Sequence, residues 1–371
     1  MKEYIYYALF ALFGGLIVFV ILYPHKAPPQ PTTIERVKII THRSPITYRL
    51  SNEITFCDER VPLEKRNVWE RLDQEFLLAI GNTPQVMLWL KRSNRYFPYI
   101  ENKLAEKGLP VDLKYLAVIE SDLIQDVRSP VGAAGPWQFM KATARKMGLR
   151  VNHIIDERYD FYRSTDAAIK YLRRLNRCFD NWTLSVAAYN LGMTRIRSEM
   201  RKQKINDYYY LVLPNETERY LFRAIAAKLI LSEPEKFGFS LEKDQYYDPI
   251  PHDIVDLKIK RTTSLKAVAQ ASETYLRVLK ELNPQIRRLY LPRGHYRIKV
   301  PKGKSSVFED NFQKLARTIP TPAIYVVRKG DNLTKIARRH NVSLSRLIKL
   351  NRIRKAGTIY PGQRLIIGQG A

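Results

Sequence analysis

The sequence is poor in cysteine: Cys57 and Cys178 are the only two among its 371 residues. Two cysteines are too few for a disulfide scaffold, and without a CxxC pair nothing indicates a zinc site. Acidic residues are also scarce, 36 against 63 lysines and arginines, which gives a formal net charge of +27. This excess indicates an anionic partner, which could be nucleic acid, anionic lipid or an acidic cell-wall polymer.

Hydrophobic residues make up 45% of the chain and aromatic residues 11%, which excludes a wholly disordered protein. The length predicts two to three domains with real cores.

The N-terminus contains one long apolar run, Tyr4 to Tyr23, with no charged side chain. Its 20 residues match the ~20 that a helix needs to cross a bilayer. No A-x-A-like cleavage site follows, and no cysteine stands directly after it. We therefore predict a transmembrane signal anchor at 1–23, with a cleaved signal peptide as the alternative, and a proline-punctuated linker at 24–65. Export of the remaining chain weakens the nucleic-acid interpretation of the charge.

From Val68 to Leu231 the apolar spacing is helical throughout, and glycines stand where helices should stop. The stripes include Trp69, Leu72, Phe76 and Ile80, then Ala167, Ile169, Leu172 and Leu175, then Leu221, Ile225 and Leu229. The pattern predicts an all-helical domain at 66–235.

The last third of the chain contains an internal repeat. A shift of 68 residues superimposes Leu265, Val268, Ala269, Leu276, Leu279, Leu282, Asn283 and Gly294 on Leu333, Ile336, Ala337, Leu344, Leu347, Leu350, Asn351 and Gly362. Such agreement at one offset predicts two copies of one unit. Each copy has the pattern strand, helix, helix, strand, at 252–302 and 323–368, with a spacer between them.

The second copy resembles a LysM module. It has the aromatic first strand, Gly330-Asp331, Leu333, the Leu-x-x-x-Asn ending at Asn351, and Gly362-Gln363. The resemblance implies binding of N-acetylglucosamine-containing glycans between two loops. The glycan contacts that it implies here are Gly330, Asp331, Asn332, Leu333 and Ile359. The first copy has Thr262-Thr263 in place of Gly-Asp, so it is a degenerate LysM-like unit whose binding loops are in doubt.

One carboxylate stands out in the helical region. Leu113, Leu116, Ala117 and Glu120 fall at i, i+3, i+4 and i+7, so Glu120 shares an apolar helix face beginning near Asp112, the expected N-cap. Burial raises the pKa of a carboxyl group, as a general acid working near neutrality requires. A solvated or helix-capping role is the alternative.

Four motifs follow one another in the order Glu120-Ser121, Gly135-x-x-Gln138, Ala-Tyr189-Asn190 and Glu216-Thr-x-x-Tyr220. In this order and spacing they resemble the catalytic domain of soluble-lytic-transglycosylase-type enzymes. With the LysM units and the apolar N-terminus, the layout resembles membrane-bound lytic transglycosylases. The fold class expected is therefore mainly α, a lysozyme-like helical catalytic domain followed by two small βααβ LysM-type modules.

The resemblance implies that Glu120 is the single catalytic acid/base. It would protonate the leaving oxygen of the β-1,4 bond between N-acetylmuramic acid and N-acetylglucosamine, and the muramyl 6-hydroxyl would then attack C1 to give a 1,6-anhydro product. Proximity of that hydroxyl would replace the second carboxylate of ordinary glycosidases. The substrate-binding residues that the motifs imply are Ser121, Trp137, Gln138, Tyr189, Asn190, Glu216 and Tyr220, with the Tyr189 hydroxyl bonded to Glu120. Helix-ending or capping roles are the alternatives for Tyr189, Asn190, Glu216 and Tyr220.

The expected partners are peptidoglycan strands and, through the N-terminal helix, a membrane on the periplasmic side, with no nucleic acid. No cofactor or metal is expected. Cys57 and Cys178 could pair in an oxidising compartment or remain free thiols. The other functions left open are a lysozyme-like hydrolase and a non-catalytic wall-binding scaffold. From His252 onwards the chain has 26 basic and seven acidic residues, so the LysM-bearing third holds most of the excess charge.

Overall fold

The computed structural model describes residues 48, 50, 51, 53–318, 322–351, 353 and 359–369, apart from some side chains near the segment ends. The predicted N-terminal anchor lies outside these residues. In the ranges described, no helix is long and apolar enough to cross a membrane.

The first part of the described chain is helical, as the spacing predicts. After a hairpin of β1 and β2 come eight helices, α1 to α8, joined by short loops and 3-10 turns. The strands are Thr55–Phe56 (β1) and Glu59–Arg60 (β2); the helices are Arg66–Gly81 (α1), Thr83–Glu106 (α2), Lys114–Ser121 (α3), Lys141–Lys146 (α4), Phe161–Phe179 (α5), Trp182–Leu191 (α6), Met193–Gln203 (α7) and Asn215–Ser232 (α8).

Helix α8 is the centre of this domain and packs against α1, α3 and α6. It can be surrounded because its sides carry small residues, Ala224, Ala226 and Ala227, all fully buried. On α1, Val68 is buried in place of the expected Trp69, which is 39% exposed. The buried face of α1 therefore begins at Val68, one residue before the predicted Trp69.

The start of α3 also differs from the expectation. Residues Val111–Leu113 form a 3-10 turn before the helix, and Asp112 is not the N-cap. Its buried carboxylate instead accepts hydrogen bonds from the backbone N–H of Cys57 and from Lys228 Nζ, both at 2.8 Å. Asp112 therefore ties the hairpin to α8.

The two C-terminal modules have the strand-helix-helix-strand order that the repeat predicts. In the first, His252–Ile259 (β3) pairs antiparallel with Gly294–Pro301 (β6), Thr263–Ser264 (β4) pairs with Tyr290–Leu291 (β5), and the helices are Leu265–Ala271 (α9) and Leu276–Leu282 (α10). In the second, Pro322–Val326 (β7) pairs antiparallel with Arg364–Gln369 (β8), and the helices are Leu333–Arg339 (α12) and Leu344–Asn351 (α13).

The repeated asparagine has the same structural role in both modules. The side chain of Asn283 donates to the carbonyl of Lys299 and accepts from its N–H, and Asn351 does the same with Ile366. One amide thus satisfies both backbone groups of a residue in the last strand. The asparagine repeats because it joins helix to strand.

The spacer expected between the modules contains a helix, Ser305–Thr318 (α11), which packs on α9. Phe308 is buried in the core of the first module, and Phe312 and Leu315 pack against that core. Their spacing at i, i+4 and i+7 is the signal that would have predicted this helix.

Candidate active site

Glu120 lies at the C-terminal end of α3, where the chain turns sharply. Asp122 and Leu123 follow with left-handed φ of 54° and 58°, and the N–H of Asp122 returns to the last turn of the helix. The Asp122 carboxylate accepts a hydrogen bond from Trp89 Nε1 at 2.7 Å. These contacts end α3 one residue after Glu120 and hold the carboxyl group at the edge of a cleft of about 750 Å³.

The opposite wall of the cleft comes from α8. Glu216, Tyr220 and Arg223 stand at i, i+4 and i+7, so one helix face carries all three to the cleft. The Tyr220 hydroxyl is buried and donates to Glu120 Oε1 at 2.6 Å. An Arg223 guanidinium N–H donates to the carbonyl of Ile119, the residue before Glu120.

This environment perturbs the carboxyl group strongly. The pKa of Glu120 is raised to about 7, mainly by burial and to a smaller extent by the nearby Glu216 charge, against the lowering effects of the Tyr220 hydrogen bond and the Arg223 charge. A carboxyl group with such a pKa is partly protonated at neutral pH, so it can donate a proton and later take one back.

The Gly-rich loop between α3 and α4 forms the floor of the cleft. Gly135 has a φ of +80°, and a Cβ there would lie 1.7 Å from the carbonyl oxygen of Arg158. The guanidinium of Arg158 in turn donates to the carbonyls of Gly132 and Phe139 and pairs with buried Asp156. The glycine is therefore required because the protein's own backbone passes so close to it.

Two residues predicted to touch substrate have other roles. Ser121 does not line the cleft: its buried hydroxyl lies within hydrogen-bond distance of the carbonyls of Ala117 and Pro136, which joins α3 to the loop. The Trp137 side chain is fully buried, and its Nε1 donates to Thr165 Oγ1. Trp137 therefore cannot offer its ring to a sugar, because the indole belongs to the core.

Tyr189 lines the cleft, but its hydroxyl donates to the carbonyl of Trp137 at 2.9 Å and not to Glu120. Burial and the nearby Glu120 charge raise the pKa of Tyr189 well above its usual value. The predicted partner of Glu120 is therefore wrong, and Tyr220 makes that bond. The Tyr189 hydroxyl instead holds the loop between α3 and α4 through the Trp137 carbonyl.

The other predicted contacts, Gln138, Asn190 and Glu216, all line the cleft. Gln138 has a positive φ of 43°, and its amide donates to the carbonyl of Gly135. The Asn190 side chain accepts from Thr217 Oγ1, which joins α6 to α8.

The motifs missed the basic residues of the cleft, Arg195 and Arg223. Arg223 could have been found from its spacing with Glu216 and Tyr220 on α8. Arg195 carries no such signal, because it lies on α7 outside every motif.

In the second module, most of the predicted glycan contacts serve the module itself. Asp331 accepts hydrogen bonds from the Tyr325 hydroxyl and the N–H of Arg328, and Asn332 caps α12. Leu333 is buried in the core, and Ile359 packs against it. Gly330 has a φ of +86° in the turn before the helix, and part of the facing loop, 354–358, lies outside the described residues.

In the first module the corresponding loops are joined to each other and to the helical domain. Thr263 pairs with Leu291 and Ser264 with Tyr290, so backbone hydrogen bonds connect the two loops. The loop after α10 also pairs with the helical domain, where the N–H of Asp156 donates to the carbonyl of Gln285 and that of Arg287 to Ile154. These loops are occupied by contacts within the protein.

Cys57 and Cys178 are both free thiols in the structure. Cys57 is buried, and burial together with the nearby carboxylate of Asp112 raises the pKa of its thiol. A thiol in such surroundings is chemically inert.

Comparison with known families confirms the resemblances on which the sequence predictions depend. Residues 98–212 match the Transglycosylase SLT domain, residues 254–317 match the LysM-like domain of lytic transglycosylase MltD, and residues 325–368 match the LysM domain. The SLT match ends before α8.

Among curated proteins, the chain is 29% identical over 297 residues to membrane-bound lytic murein transglycosylase D of Escherichia coli K12, which covers 76% of this chain and 65% of the relative. The chain thus spans slightly less than two thirds of that protein.

Solved structures with partial likeness are both 20% identical to this chain. The complex of the 70-kDa soluble lytic transglycosylase with bulgecin A has a TM-score of 0.35 and covers 49% of this chain and 32% of that one. An inactive variant of lytic transglycosylase Slt from Pseudomonas aeruginosa has a TM-score of 0.30 and covers 41% and 26%.

Proposed function

We propose that the chain is a peptidoglycan lytic transglycosylase, which cleaves the β-1,4 bond between N-acetylmuramic acid and N-acetylglucosamine and leaves 1,6-anhydro ends. The observation that carries the proposal is the Glu120 carboxyl group, whose pKa of about 7 and bond to Tyr220 equip it to act as both acid and base. The SLT match and the similarity to lytic murein transglycosylase D support it.

In this reaction neutral Glu120 protonates the leaving oxygen, and the resulting carboxylate accepts the proton of the muramyl 6-hydroxyl as that oxygen bonds to C1. The C1–O4 bond breaks and the C1–O6 bond forms, so no water is consumed. The Tyr220 hydroxyl stabilises the carboxylate between the two proton transfers. Arg223 holds the end of α3 through the Ile119 carbonyl and lowers the pKa of Glu120 by its charge.

Gln138, Asn190 and Glu216 are the proposed sugar contacts, since they line the cleft around Glu120. Ser121 and Trp137 are proposed to support the loop, because Ser121 does not line the cleft and Trp137, although it lies at the cleft wall, has a fully buried side chain. The second module, through Gly330 and the loop around Ile359, is proposed to hold the glycan strand.

A hydrolase is the second candidate, because Glu216 is the one other acidic side chain among the described residues lining the cleft. Hydrolysis needs a second carboxylate to activate water or to act as nucleophile. Digestion of purified sacculi followed by mass spectrometry separates the two, because anhydro products are lighter by one water. Loss of activity in Glu120→Gln with anhydro products retained in Glu216→Gln supports the transglycosylase.

The place of action is proposed to be the cell envelope, with the segment at 1–23 as a membrane anchor. The apolar run and the name of the relative support this location. Fractionation of cells expressing the full chain tests it: recovery with membranes after a high-salt wash is expected, and recovery in the soluble periplasmic fraction would contradict it.

A further inference from the structure

A second large pocket lies between the helical domain and the first module, away from the cleft. It has a volume of about 650 Å³ and shares no lining residue with the cleft of Glu120. Its walls are α2, α5 and the outer face of the β3–β6 pair. We call it the seam pocket and define it by Tyr99, Tyr162, Arg163, His252, Gln285 and Arg297.

Three rings follow one another along this pocket. Tyr99 and Tyr162 meet edge to face with centroids 4.7 Å apart, and Tyr162 and His252 are 5.5 Å apart. All three are partly exposed. Rings that remain accessible in a concave site offer large apolar contact at little entropic cost, which suits the C–H faces of sugar rings.

The pocket also contains an unsatisfied acceptor. Gln285 is only 6% exposed, and its Oε1 has no hydrogen-bond partner in the part of the chain that the structure describes. A buried acceptor without a donor destabilises the protein. The oxygen has almost no exposed surface, so the Gln285 side chain would have to turn toward the pocket before an N–H group of a ligand, such as that of an N-acetyl amino sugar, could satisfy it.

Two cations of the pocket have no carboxylate partner among the described residues. Arg163 and Arg297 are exposed and form no ion pair there, whereas Lys299 pairs with Asp160 and Arg150 with Glu157. Guanidinium groups bind carboxylates in bidentate geometry. One lining carboxylate, Asp166, also has no ion pair among the described residues, and it accepts a hydrogen bond from the Tyr99 hydroxyl. The two guanidinium groups outnumber it, so the ligand chemistry indicated is an N-acetylated sugar strand that carries carboxylates.

From these contacts we propose that the seam pocket is a second binding site for peptidoglycan, outside the catalytic cleft and built jointly by the helical domain and the first module. This rests on the proposed function for the identity of the strand. The first module then contributes to binding through its outer sheet face and not through its joined loops.

The test titrates the full chain carrying Glu120→Gln with an uncrosslinked tetrasaccharide that bears its stem peptides, while the imidazole NMR signals of the histidines are recorded. Saturable shifts of the His252 and His295 signals are expected, because both residues line the pocket. The double variant Arg163→Ala/Arg297→Ala should weaken this binding at least tenfold. Arg173→Ala/Arg201→Ala is the control, since it removes two exposed arginines that do not line the pocket.

His252 and His295 signals that stay unshifted at saturating ligand concentrations would overturn the proposal. So would equal binding of a neutral N-acetylglucosamine tetramer, since it lacks the carboxylates. Stem peptide that binds as tightly without sugar would also contradict it, by assigning the pocket to a peptide. Turnover of the same tetrasaccharide by the chain with Glu120 intact is measured separately, so failure of the pocket and failure of the proposed function are distinguishable.

Discussion

The hydrogen bond between Tyr220 and Glu120 is expected to set the pH dependence of activity. Tyr220→Phe removes the O–H donor at 2.6 Å but keeps the buried ring. A hydrogen bond to a charged group contributes about 1.5–3 kcal/mol, and one pKa unit corresponds to about 1.4 kcal/mol. Water entering the cleft would replace part of the lost hydrogen-bond energy, so we expect the pKa of Glu120 to rise by about one unit.

The direction of the change in pH dependence follows from the role of Glu120 as the acid. Glu120 must be protonated to act as the acid, so kcat/KM is full below its pKa and falls as the pH rises through it. We expect the fall to centre near pH 7 in the parent protein, where the pKa of Glu120 lies. In Tyr220→Phe the midpoint should move up by about one unit.

The assay is the pH dependence of kcat/KM for release of anhydro product from a soluble tetrasaccharide. Tyr209→Phe is the matched control, because Tyr209 is also buried in the helical domain but its hydroxyl has no hydrogen-bond partner among the residues described. A midpoint in Tyr220→Phe that stays in place or moves to lower pH would show that the Tyr220 hydroxyl does not stabilise the Glu120 carboxylate.

Three further changes test the surroundings of the site. Gly135→Ala should destabilise the fold by about 3 kcal/mol or more in urea unfolding and abolish activity, because its Cβ would meet backbone at 1.7 Å. The control Gly148→Ala should cost only about 1–2 kcal/mol, because a Cβ there meets open space. Equal losses of stability in the two variants would contradict the predicted clash. Asp160→Asn should cost about 3 kcal/mol because it leaves Lys299 buried without its charge partner, and a loss below about 1 kcal/mol would show that the pair is not structural. Trp137→Phe should cost about 1–2 kcal/mol through the lost bond to Thr165 and leave the chain lengths of the products unchanged. A changed distribution of chain lengths would show that Trp137 contacts substrate after all.

The sequence predicted well what depends on local periodicity. The helical domain and the strand-helix-helix-strand order of both modules follow from apolar spacing and from the repeat, and the structure has them. The carboxylate on an apolar face was also found this way, because Glu120 stands at i+7 from Leu113 on a helix whose other members are buried.

Which donor reaches the carboxylate could not be predicted, because the answer depends on how distant helices cross. Tyr189 and Tyr220 both come from motifs and both lie near Glu120, yet only the α8 tyrosine reaches its oxygen. The burial of the Trp137 ring has the same origin, since its partner Thr165 lies on α5, 28 residues further along the chain. The helix α11, in contrast, was missed although its apolar spacing is legible.

The structure also alters the interpretation of the charge. The basic excess lies in the last third, and part of it reaches the boundary between domains, where Lys299 pairs with Asp160 and Arg287 with Asp126. These residues join the first module to the helical domain, whereas Arg163 and Arg297 remain available to an anionic ligand. Part of the net charge therefore has a structural role at this boundary.

The proposed reaction requires that Glu120 acts alone as acid and base, without water. The most direct measurement is mass spectrometry of the fragments released from purified sacculi by the full chain and by its Glu120→Gln variant. We expect anhydro-ended fragments, lighter by one water than hydrolytic products, from the parent chain and none from the variant. Fragments carrying the added water, or anhydro fragments from the variant at the parent rate, would contradict the account.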